Sequence, residues 1–382
     1  SMGILIKEFG QLYQGQQLEK LTFQYKDYAE WQGDYQRTDK IKEAEEYWLN
    51  KFSGNIPSLE LPTDYSRPTE QSFNGERIRF KLGKSITQDL REGIQKTGST
   101  LYIFLLTGMN ILLSKYSGQE DIIIGSPVAG RSYPGLEKVA GMFVNTLAMR
   151  NYPLGEKTFV QFIGEVKENL LQDFKYQDYQ FEELVNKLDL ERDMSRNPLF
   201  NVMFTMQNMD IGDLEPGDIK LSEYEYDSGI SKFDLSFFAV EEDEDIKLDI
   251  EYSTDLFRRK TIRRLFSHFQ RILAIITANM EIKLNRIDLL TEDEKDTLIY
   301  QFNDTGANYP SQKSIQTLFE EQVQETPDKV ALEFGEEQMT YYQLNKKANQ
   351  LARKLKKYGL ERGHIVGIMA PPSIRLIISI LA

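Results

Sequence analysis

The chain contains no cysteine and only two histidines among its 382 residues. The absence of cysteine excludes disulfides, thiolate metal sites and cysteine nucleophiles, and it fits a reducing compartment. His268 and His364 stand far apart in the sequence, so neither a histidine-rich metal site nor a Ser-His-Asp triad is supported. His268 falls off the apolar stripe of a helix predicted over residues 257–278, and His364 falls in a turn. Both are expected at the surface rather than in a site.

Other signals are missing as well. No apolar run approaches the roughly 18 residues of a membrane span, and the N-terminus has no signal-peptide pattern, so we expect a soluble, cytoplasmic protein. A formal net charge of −13 argues against a nucleic-acid surface. The sequence also lacks the Gly-x-x-x-x-Gly-Lys, Gly-x-Ser-x-Gly, Ser-x-x-Lys, His-Glu-x-x-His and Gly-x-Gly-x-x-Gly motifs. No self-contained catalyst is therefore visible.

What is present is ample apolar material, with a hydrophobic fraction of 40%. Residues 121–131 and 141–150 are predicted to be strands of a sheet covered on both faces, because their apolar residues hardly alternate with polar ones. Asn145 and Thr146 interrupt the second run. A buried amide without partners costs about 1 to 3 kcal/mol, so Asn145 either braces the core or lines a cavity.

The length predicts two or three domains. The first helix, over residues 1–13, begins without a cap, and the apolar run at 374–382 ends without one, so we expect a segment of a larger protein. Boundaries are predicted at the proline-containing loop 57–74 and at a polar linker, 286–314.

Between these boundaries the pattern predicts an α/β unit. It has an edge strand over residues 76–82, helices that start at Ser85, Thr100 and Thr158, and a hairpin whose acidic tip, 241–245, is a solvated turn rather than a calcium site.

After the linker, a βαβ pattern begins another domain. Thr340 is predicted to cap a helix, and residues 365–369 are predicted to form a buried strand.

Two further clusters leave two interpretations open. Tyr25, Tyr28, Trp31 and Tyr35 recur at helical spacing, which indicates either an aromatic face packed on a core or the wall of a binding site. In a later polar loop, Arg192 and Arg196 are placed to clamp backbone carbonyls and Asp193, which indicates loop bracing or a ligand site.

Four of these segments together resemble motifs of the condensation domains of nonribosomal peptide synthetases. The resemblance covers about residues 1–285, and the tail from Ile315, with Met339-Thr-Tyr-Tyr-Gln-Leu344, is similar to the opening of an adenylation domain. The four segments, in the family's order, are Tyr25-Lys-Asp-Tyr-Ala-Glu-Trp31, Gly141-Met-Phe-Val-Asn-Thr-Leu-Ala-Met-Arg150, Tyr176-Gln-Asp-Tyr-Gln-Phe-Glu182 and Arg192-Asp-Met-Ser-Arg-Asn-Pro-Leu199. In this resemblance Tyr25, Asp27 and Trp31 are structural motif residues, as are Arg192, Asp193 and Arg196.

The resemblance implies an α/β fold like that of chloramphenicol acetyltransferase, with two lobes and a tunnel between them. This chain would hold the end of the first lobe (1–58), the second lobe (59–285), a linker (286–314) and the truncated start of an adenylation domain (315–382). Ser126, Arg131 and Asn145 would lie near the tunnel or its floor loop and are the candidate substrate-binding residues.

The resemblance also implies amide-bond formation between aminoacyl or peptidyl thioesters held on carrier domains. The family's His-His-x-x-x-Asp-Gly motif is absent from the chain, so we expect no catalytic residue here and no activity of the segment alone. Phosphopantetheine would belong to the partner carrier domains, and ATP with Mg²⁺ to a complete adenylation domain. The remainder of the synthetase would be the other partner. The alternative is a condensation-like module that docks carrier domains without chemistry.

Overall fold

The chain folds into two compact units, Ser1–Thr291 and Glu292–Ala382, which are described separately. The structure is a computed structural model that describes residues 1–190, 193–207, 228–242, 244–361 and 363–382. Arg192 therefore lies outside the described residues. The finer boundaries expected at residues 58, 285 and 314 remain predictions.

A mixed sheet forms the centre of the first unit. In the described part of the chain it has six strands in the order β1-β6-β5-β4-β2-β3. β2 pairs with β3 antiparallel and with β4 parallel, β4 and β5 are parallel, and β5, β6 and β1 are antiparallel neighbours. The edge strand and the acidic hairpin predicted from the sequence are confirmed as β1 and the β5–β6 turn. The strands are β1 Gly75–Lys81, β2 Ile122–Val128, β3 Asn145–Asn151, β4 Val202–Met206, β5 Leu235–Glu242 and β6 Asp245–Ser253.

The helices of the first unit begin where capping side chains predict. The side chain of Thr100 accepts a hydrogen bond from the Ile103 amide, and Thr158 forms a capping box with Gln161. The start predicted at Ser85 falls one residue earlier, at Lys84. The helices are α1 Met2–Tyr13, α2 Tyr25–Tyr35, α3 Asp39–Lys51, α4 Lys84–Thr97, α5 Leu101–Ser117, α6 Phe159–Lys175, α7 Phe181–Lys187 and α8 Arg259–Ala278, with short 3-10 turns at Leu136–Lys138 and Leu284–Arg286.

The core of the first unit is continuous from the sheet to α3. Trp48 and Phe52, at the end of that helix, are buried in the same hydrophobic cluster as the interior strands and α5. The indole nitrogen of Trp48 donates to the Tyr176 carbonyl at 3.1 Å, so α3 is fixed to the end of α6. Residues on both sides of the predicted boundary at 58 therefore share one core.

His268 is buried, and the surface position predicted for it is wrong. Its side chain lies on α8, and its Nδ1 is 2.7 Å from the Tyr116 hydroxyl on α5. The histidine follows Leu265 by three positions and precedes Ile272 by four, which puts it on the flank of the apolar stripe. α8 packs against both α4 and α5, so this flank is covered as well.

The second unit contains a two-stranded antiparallel hairpin and helices around a small core. Thr340 caps α11 as predicted, in a capping box with Gln343. The core consists of Met339, Leu344, Ile374 and Ile378 with partly buried neighbours. The elements are α9 Glu292–Asp296, a π-helical turn Thr297–Gln301, α10 Ile315–Glu325, β7 Val330–Phe334, β8 Glu337–Thr340, α11 Tyr341–Lys357 and α12 Ile374–Leu381.

The buried strand predicted over residues 365–369 is wrong. These residues have no regular secondary structure, and Ile365 and Met369 are 99% and 101% exposed. An apolar run becomes a strand only when a neighbouring strand satisfies its backbone groups. In the described residues the sheet of this unit consists of β7 and β8 paired with each other.

Among the described residues, no helix taken singly meets the length and hydropathy expected of a membrane span; α4 and α5 meet it only as a pair, with a bend of 103° between them.

Candidate functional site

The segment from β2 to β3 carries the three residues predicted to bind substrate. Ser126 is buried in β2, where its hydroxyl accepts a hydrogen bond from the Tyr102 hydroxyl at 2.7 Å and donates to the Phe204 carbonyl at 2.8 Å. These bonds connect β2 to α5 and to β4. Burial raises the pKa of Tyr102, so its phenol stays protonated and continues to donate. Ser126 is thus placed as a link within the core.

Asn145 is the first residue of β3 and is 5% exposed. Its Nδ2 donates to the carbonyls of Gln177 and Tyr179 at 2.8 and 2.7 Å. Its Oδ1 accepts from the amides of Thr146 at 2.8 Å and Phe181 at 3.2 Å. The side chain therefore joins β3 to the turn between α6 and α7, and both ends of the amide have partners inside the protein.

The strand expected over residues 141–150 begins only at Asn145. Met142 and Val144 are 71% and 51% exposed, so the prediction of a strand is wrong for these first positions. Phe143 is buried, but in a separate cluster with Leu136 and Val139. Residues 129–144 form the connection from β2 to β3, which we call the floor loop.

Arg131 holds the floor loop together from inside. Its guanidinium Nη1 donates to the carbonyls of Leu136 and Val139, the latter at 2.7 Å, and its carbon Cζ lies 4.2 Å from the centre of the Phe143 ring. A planar, multiply donating cation suits such a position, because one group satisfies several carbonyls and stacks on a ring. Nη2 also donates to the Ser1 hydroxyl at 3.2 Å.

Two glycines permit the loop to close. Gly130 has φ +61°, and a Cβ there would lie 1.8 Å from the Phe143 carbonyl oxygen. A Cβ on Gly141 would lie 2.1 Å from the Tyr25 ring. Both positions therefore require glycine, one for its backbone conformation and both for close approach.

The aromatic face of α2 packs on the floor loop. The Tyr25 hydroxyl donates to the Met142 carbonyl at 2.8 Å, and Tyr28 lies with its ring 4.6 Å from that of Phe143. Trp31 meets the Tyr133 ring edge-on at 4.5 Å. Asp27 caps the helix by accepting from the Gln24 amide at 2.7 Å. The motif on α2 is thus in contact with the motif Gly141–Arg150, through the part of it that precedes β3.

The loop that contains Asp193 and Arg196 is braced by its own polar groups. Asp193 accepts from the Ser195 amide and hydroxyl at 2.8 and 2.6 Å, and these bonds hold the pKa of Asp193 below its usual range. Arg196 donates to the Ser58 hydroxyl at 2.7 Å and the Leu59 carbonyl at 3.2 Å. Its Nε lies 3.5 Å from the Asp193 carboxylate. The loop is anchored to the 57–74 segment and lies apart from the floor loop contacts described above.

Sequence reasoning missed two ionic contacts around α3, one that holds it beside β3 and one that holds it beside α6. Arg150 is 5% exposed; it pairs with Asp121 at 2.7 Å and donates to the carbonyls of Lys51 and Asn55 at 3.1 and 2.7 Å. Lys51 itself pairs with Asp173 of α6 at 2.5 Å. Arg150 is a charged residue at the end of an apolar run, and a buried charge needs a partner. This was the signal in the sequence for the contact between Arg150 and Asp121.

The described residues show no catalytic constellation. His268 is engaged with Tyr116, and His364 lies in an exposed turn, with its Nδ1 accepting from the Glu361 amide at 3.3 Å. No group of three or more His, Asp or Glu side chains in this part of the chain is placed to hold a metal ion. The strand β3, the floor loop and α2 are fixed in place by polar and aromatic contacts.

Two protein families match the chain. The condensation domain matches residues 1–299, and the AMP-binding enzyme family matches residues 319–382. The first match covers the floor loop, α2 and the six-stranded sheet, and the second covers the hairpin, α11, α12 and the greater part of α10.

Curated relatives match along the whole chain. Bacitracin synthase 3 of Bacillus licheniformis is 48% identical over 381 residues, which are 100% of this chain and 6% of that protein. Gramicidin S synthase 2 of Brevibacillus brevis is 47% identical over 384 residues, 100% of this chain and 9% of that protein. The chain thus spans less than a tenth of the length of these two relatives.

Solved structures share the fold. A four-domain nonribosomal peptide synthetase bound to AMP and glycine superposes with a TM-score of 0.72 and 25% identity, covering 84% of this chain and 25% of that chain. The X-domain from teicoplanin biosynthesis gives a TM-score of 0.68 and 21% identity, covering 76% and 68%. The expected α/β fold, like that of chloramphenicol acetyltransferase, is confirmed. The chain belongs to the condensation-domain family of nonribosomal peptide synthetases and continues into the start of an AMP-binding domain.

Proposed function

We propose that this chain is part of a modular, cytoplasmic peptide synthetase whose condensation domain joins an upstream aminoacyl or peptidyl thioester to a downstream aminoacyl amine. The observation that carries the proposal is that this chain matches peptide synthetases along its whole length, with the condensation domain over residues 1–299. The substrates would arrive on carrier domains, so the upstream and downstream carriers and the rest of the synthetase are the proposed partners.

In the proposed reaction the acceptor amine attacks the thioester carbonyl, a C–N bond forms, and the C–S bond breaks to release the carrier thiol. Such a step depends on holding the two acyl carriers in line and on managing one proton. Asn145 uses both donors and both acceptor positions of its amide within the protein, and Ser126 uses its donor and one acceptor position. We propose that these two residues and Arg131 shape the wall and floor of the tunnel by fixing its backbone.

The chain alone is proposed to be inactive. It contains no His-His-x-x-x-Asp-Gly motif, and its two histidines lie on α8 and in an exposed turn of the second unit. Residues 315–382 also contain no glycine-rich phosphate loop, so ATP and Mg²⁺ are assigned to a complete adenylation domain and not to this segment. Phosphopantetheine is assigned to the carrier domains.

The alternative function is a condensation-like module that docks carrier domains without chemistry. The two are separated by supplying loaded donor and acceptor carriers to the synthetase that contains this chain, then measuring carrier binding and the mass of the acceptor-bound product. Carrier binding with an elongated product supports amide synthesis. Binding without product supports docking alone, and neither binding nor product would refute both.

A further inference from the structure

A pocket lies between α2 and the floor loop, and some of the rings that pack these elements together also line it. We call it the aromatic pocket. Its volume is about 280 Å³, below the roughly 300 to 1,000 Å³ of typical small-molecule sites. The pocket is lined by Phe23, Asp27, Tyr28, Trp31, Tyr133, Pro134 and Leu136.

The aromatic rings of the pocket are not simply core. Trp31 is 38% exposed, whereas Trp48, the other tryptophan, is 2% exposed. Trp31 stacks on Tyr35 at 4.8 Å and meets Tyr133 edge-on at 4.5 Å, so its position is fixed while part of its surface stays open to solvent. Packing is therefore confirmed for part of this aromatic face, and a binding wall stays a prediction for the exposed part.

The charged side chain that lines the pocket is acidic. Asp27 is its charged lining residue, and the bond to the Gln24 amide occupies Oδ2, one of its two carboxylate oxygens. A second carboxylate, that of Asp178, accepts a hydrogen bond from the Ser132 hydroxyl of the floor loop at 3.2 Å. Burial, with the charge of Asp178 adding to it, raises the pKa of Tyr28, so the phenol stays neutral.

Neither basic residue of the floor loop is among the residues that line the pocket. Arg131 is directed to loop carbonyls and to Phe143, and Lys138 pairs with Glu19 at 2.8 Å. Aromatic faces attract cations electrostatically, and a neighbouring carboxylate adds to that attraction.

We propose that the aromatic pocket binds one basic side chain, a lysine ammonium or an arginine guanidinium, presented by a partner protein. The pocket has the volume for a single side chain, offers indole and phenol faces to a cation, and places Asp27 at its lining. Tyr133, Pro134 and Leu136 belong to the floor loop, so an occupant would contact the same loop that Arg131 organises. The inference rests on α2 and the floor loop and does not depend on amide synthesis.

The test uses the full 382-residue chain and a five-residue peptide, Gly-Gly-Arg-Gly-Gly, capped at both ends. The matched neutral probe replaces arginine by citrulline, which has nearly the same shape without the charge. Trp31 fluorescence reports occupancy, because Trp48 is buried elsewhere. We expect saturable binding of the arginine peptide, about tenfold tighter than the citrulline peptide.

Two variants locate the site. Asp27→Asn keeps an oxygen for the Gln24 amide and removes the charge, so it should lose most of the preference for arginine. Trp31→Leu keeps apolar volume and removes the indole face; it should weaken binding about tenfold when followed by ligand-observed NMR. The matched controls, Asp39→Asn on α3 and Tyr300→Leu in the second unit, alter exposed residues elsewhere and should bind like the unaltered chain. Circular dichroism verifies that each variant is folded.

Three results would overturn the proposal. Equal binding of the arginine and citrulline peptides would show an apolar groove without charge recognition. Unchanged binding by folded Trp31→Leu and Asp27→Asn would place the site elsewhere. Binding of free guanidinium ion as tight as that of the arginine peptide would show a site for small cations rather than for a protein side chain.

Discussion

Replacing Asn145 by alanine tests whether the buried amide braces the first unit. The substitution removes the partners of four backbone groups: the carbonyls of Gln177 and Tyr179 and the amides of Thr146 and Phe181. The turn between α6 and α7 would then face β3 without its polar contacts. We expect the turn to loosen and the first unit to lose stability.

The magnitude follows from the number of groups left without partners. A buried hydrogen bond contributes about 1 kcal/mol net, and a stranded buried donor or acceptor costs about 1 to 3 kcal/mol. Four groups at the low end of this range, with part of the cost relieved by water reaching the turn, give a loss of roughly 2 to 4 kcal/mol. An exposed asparagine on α3, Asn50, provides the control, and its replacement by alanine should change the free energy of unfolding by less than about 0.5 kcal/mol.

Urea unfolding followed by tryptophan fluorescence measures this loss. Both tryptophans, Trp31 and Trp48, belong to the first unit, so the signal reports that unit and not the second. The alanine variant should lower the midpoint without a large change in the slope. A loss below about 0.5 kcal/mol, equal to that of the Asn50 control, would refute the bracing role.

Asn145→Asp adds a pH test of the same contact. A carboxylate would meet the Gln177 and Tyr179 carbonyls in place of the Nδ2 donor, so the folded state should raise the pKa of the introduced acid. Because the folded state then binds its proton more tightly than the unfolded state, the deficit relative to asparagine is largest at neutral pH. It should shrink as the pH falls through the raised pKa. A deficit independent of pH would contradict the assigned geometry.

Two other perturbations test the supports around this strand. Asp173→Asn leaves the Lys51 ammonium, 12% exposed, without its carboxylate, and should lower the free energy of unfolding in urea by about 3 to 5 kcal/mol. The double variant Lys51→Met and Asp173→Leu should recover most of this loss. Equal losses in the single and the double variant would contradict a buried ion pair. Arg131→Ala should free the floor loop and increase acrylamide quenching of Trp31, which contacts that loop through Tyr133, and Arg131→Lys should fall between. Unchanged quenching would contradict the role of Arg131.

The elements with strong local signals were predicted from the sequence. Thr100, Thr158 and Thr340 each begin a helix, because a capping hydroxyl acts within three residues of its own position. The apolar runs that became β2 and most of β3 were also predicted, since strands buried on both faces need no polar alternation.

The contacts that span the fold were not predicted. Sequence reasoning required a partner for Asn145, but the partners lie 32 to 36 positions away in the turn after α6. The partner of His268, Tyr116, lies 152 positions away, so the histidine looked like a surface residue on its own helix. The strand predicted over residues 365–369 was wrong because a strand needs a neighbouring strand, and the apolar run itself does not specify one.

The candidate site was likewise predicted only in part. The resemblance identified the motif on α2 and the motif Gly141–Arg150 as family motifs. The structure shows that they contact each other through Tyr25 and Phe143. The internal hydrogen bonds of Ser126 and Asn145 could not be derived from residue type alone, because either residue serves equally well at a cavity wall.

The central claim is that this chain supplies a supporting wall of a condensation domain whose chemistry requires the His-His-x-x-x-Asp-Gly motif. The most direct measurement supplies loaded donor and acceptor carriers to the chain alone and to the chain fused to an upstream segment that carries the motif. Mass spectrometry of the acceptor carrier should show the elongated acyl group only with the fused chain. Product formed by the chain alone, or none from a folded fusion that binds both carriers, would contradict the claim.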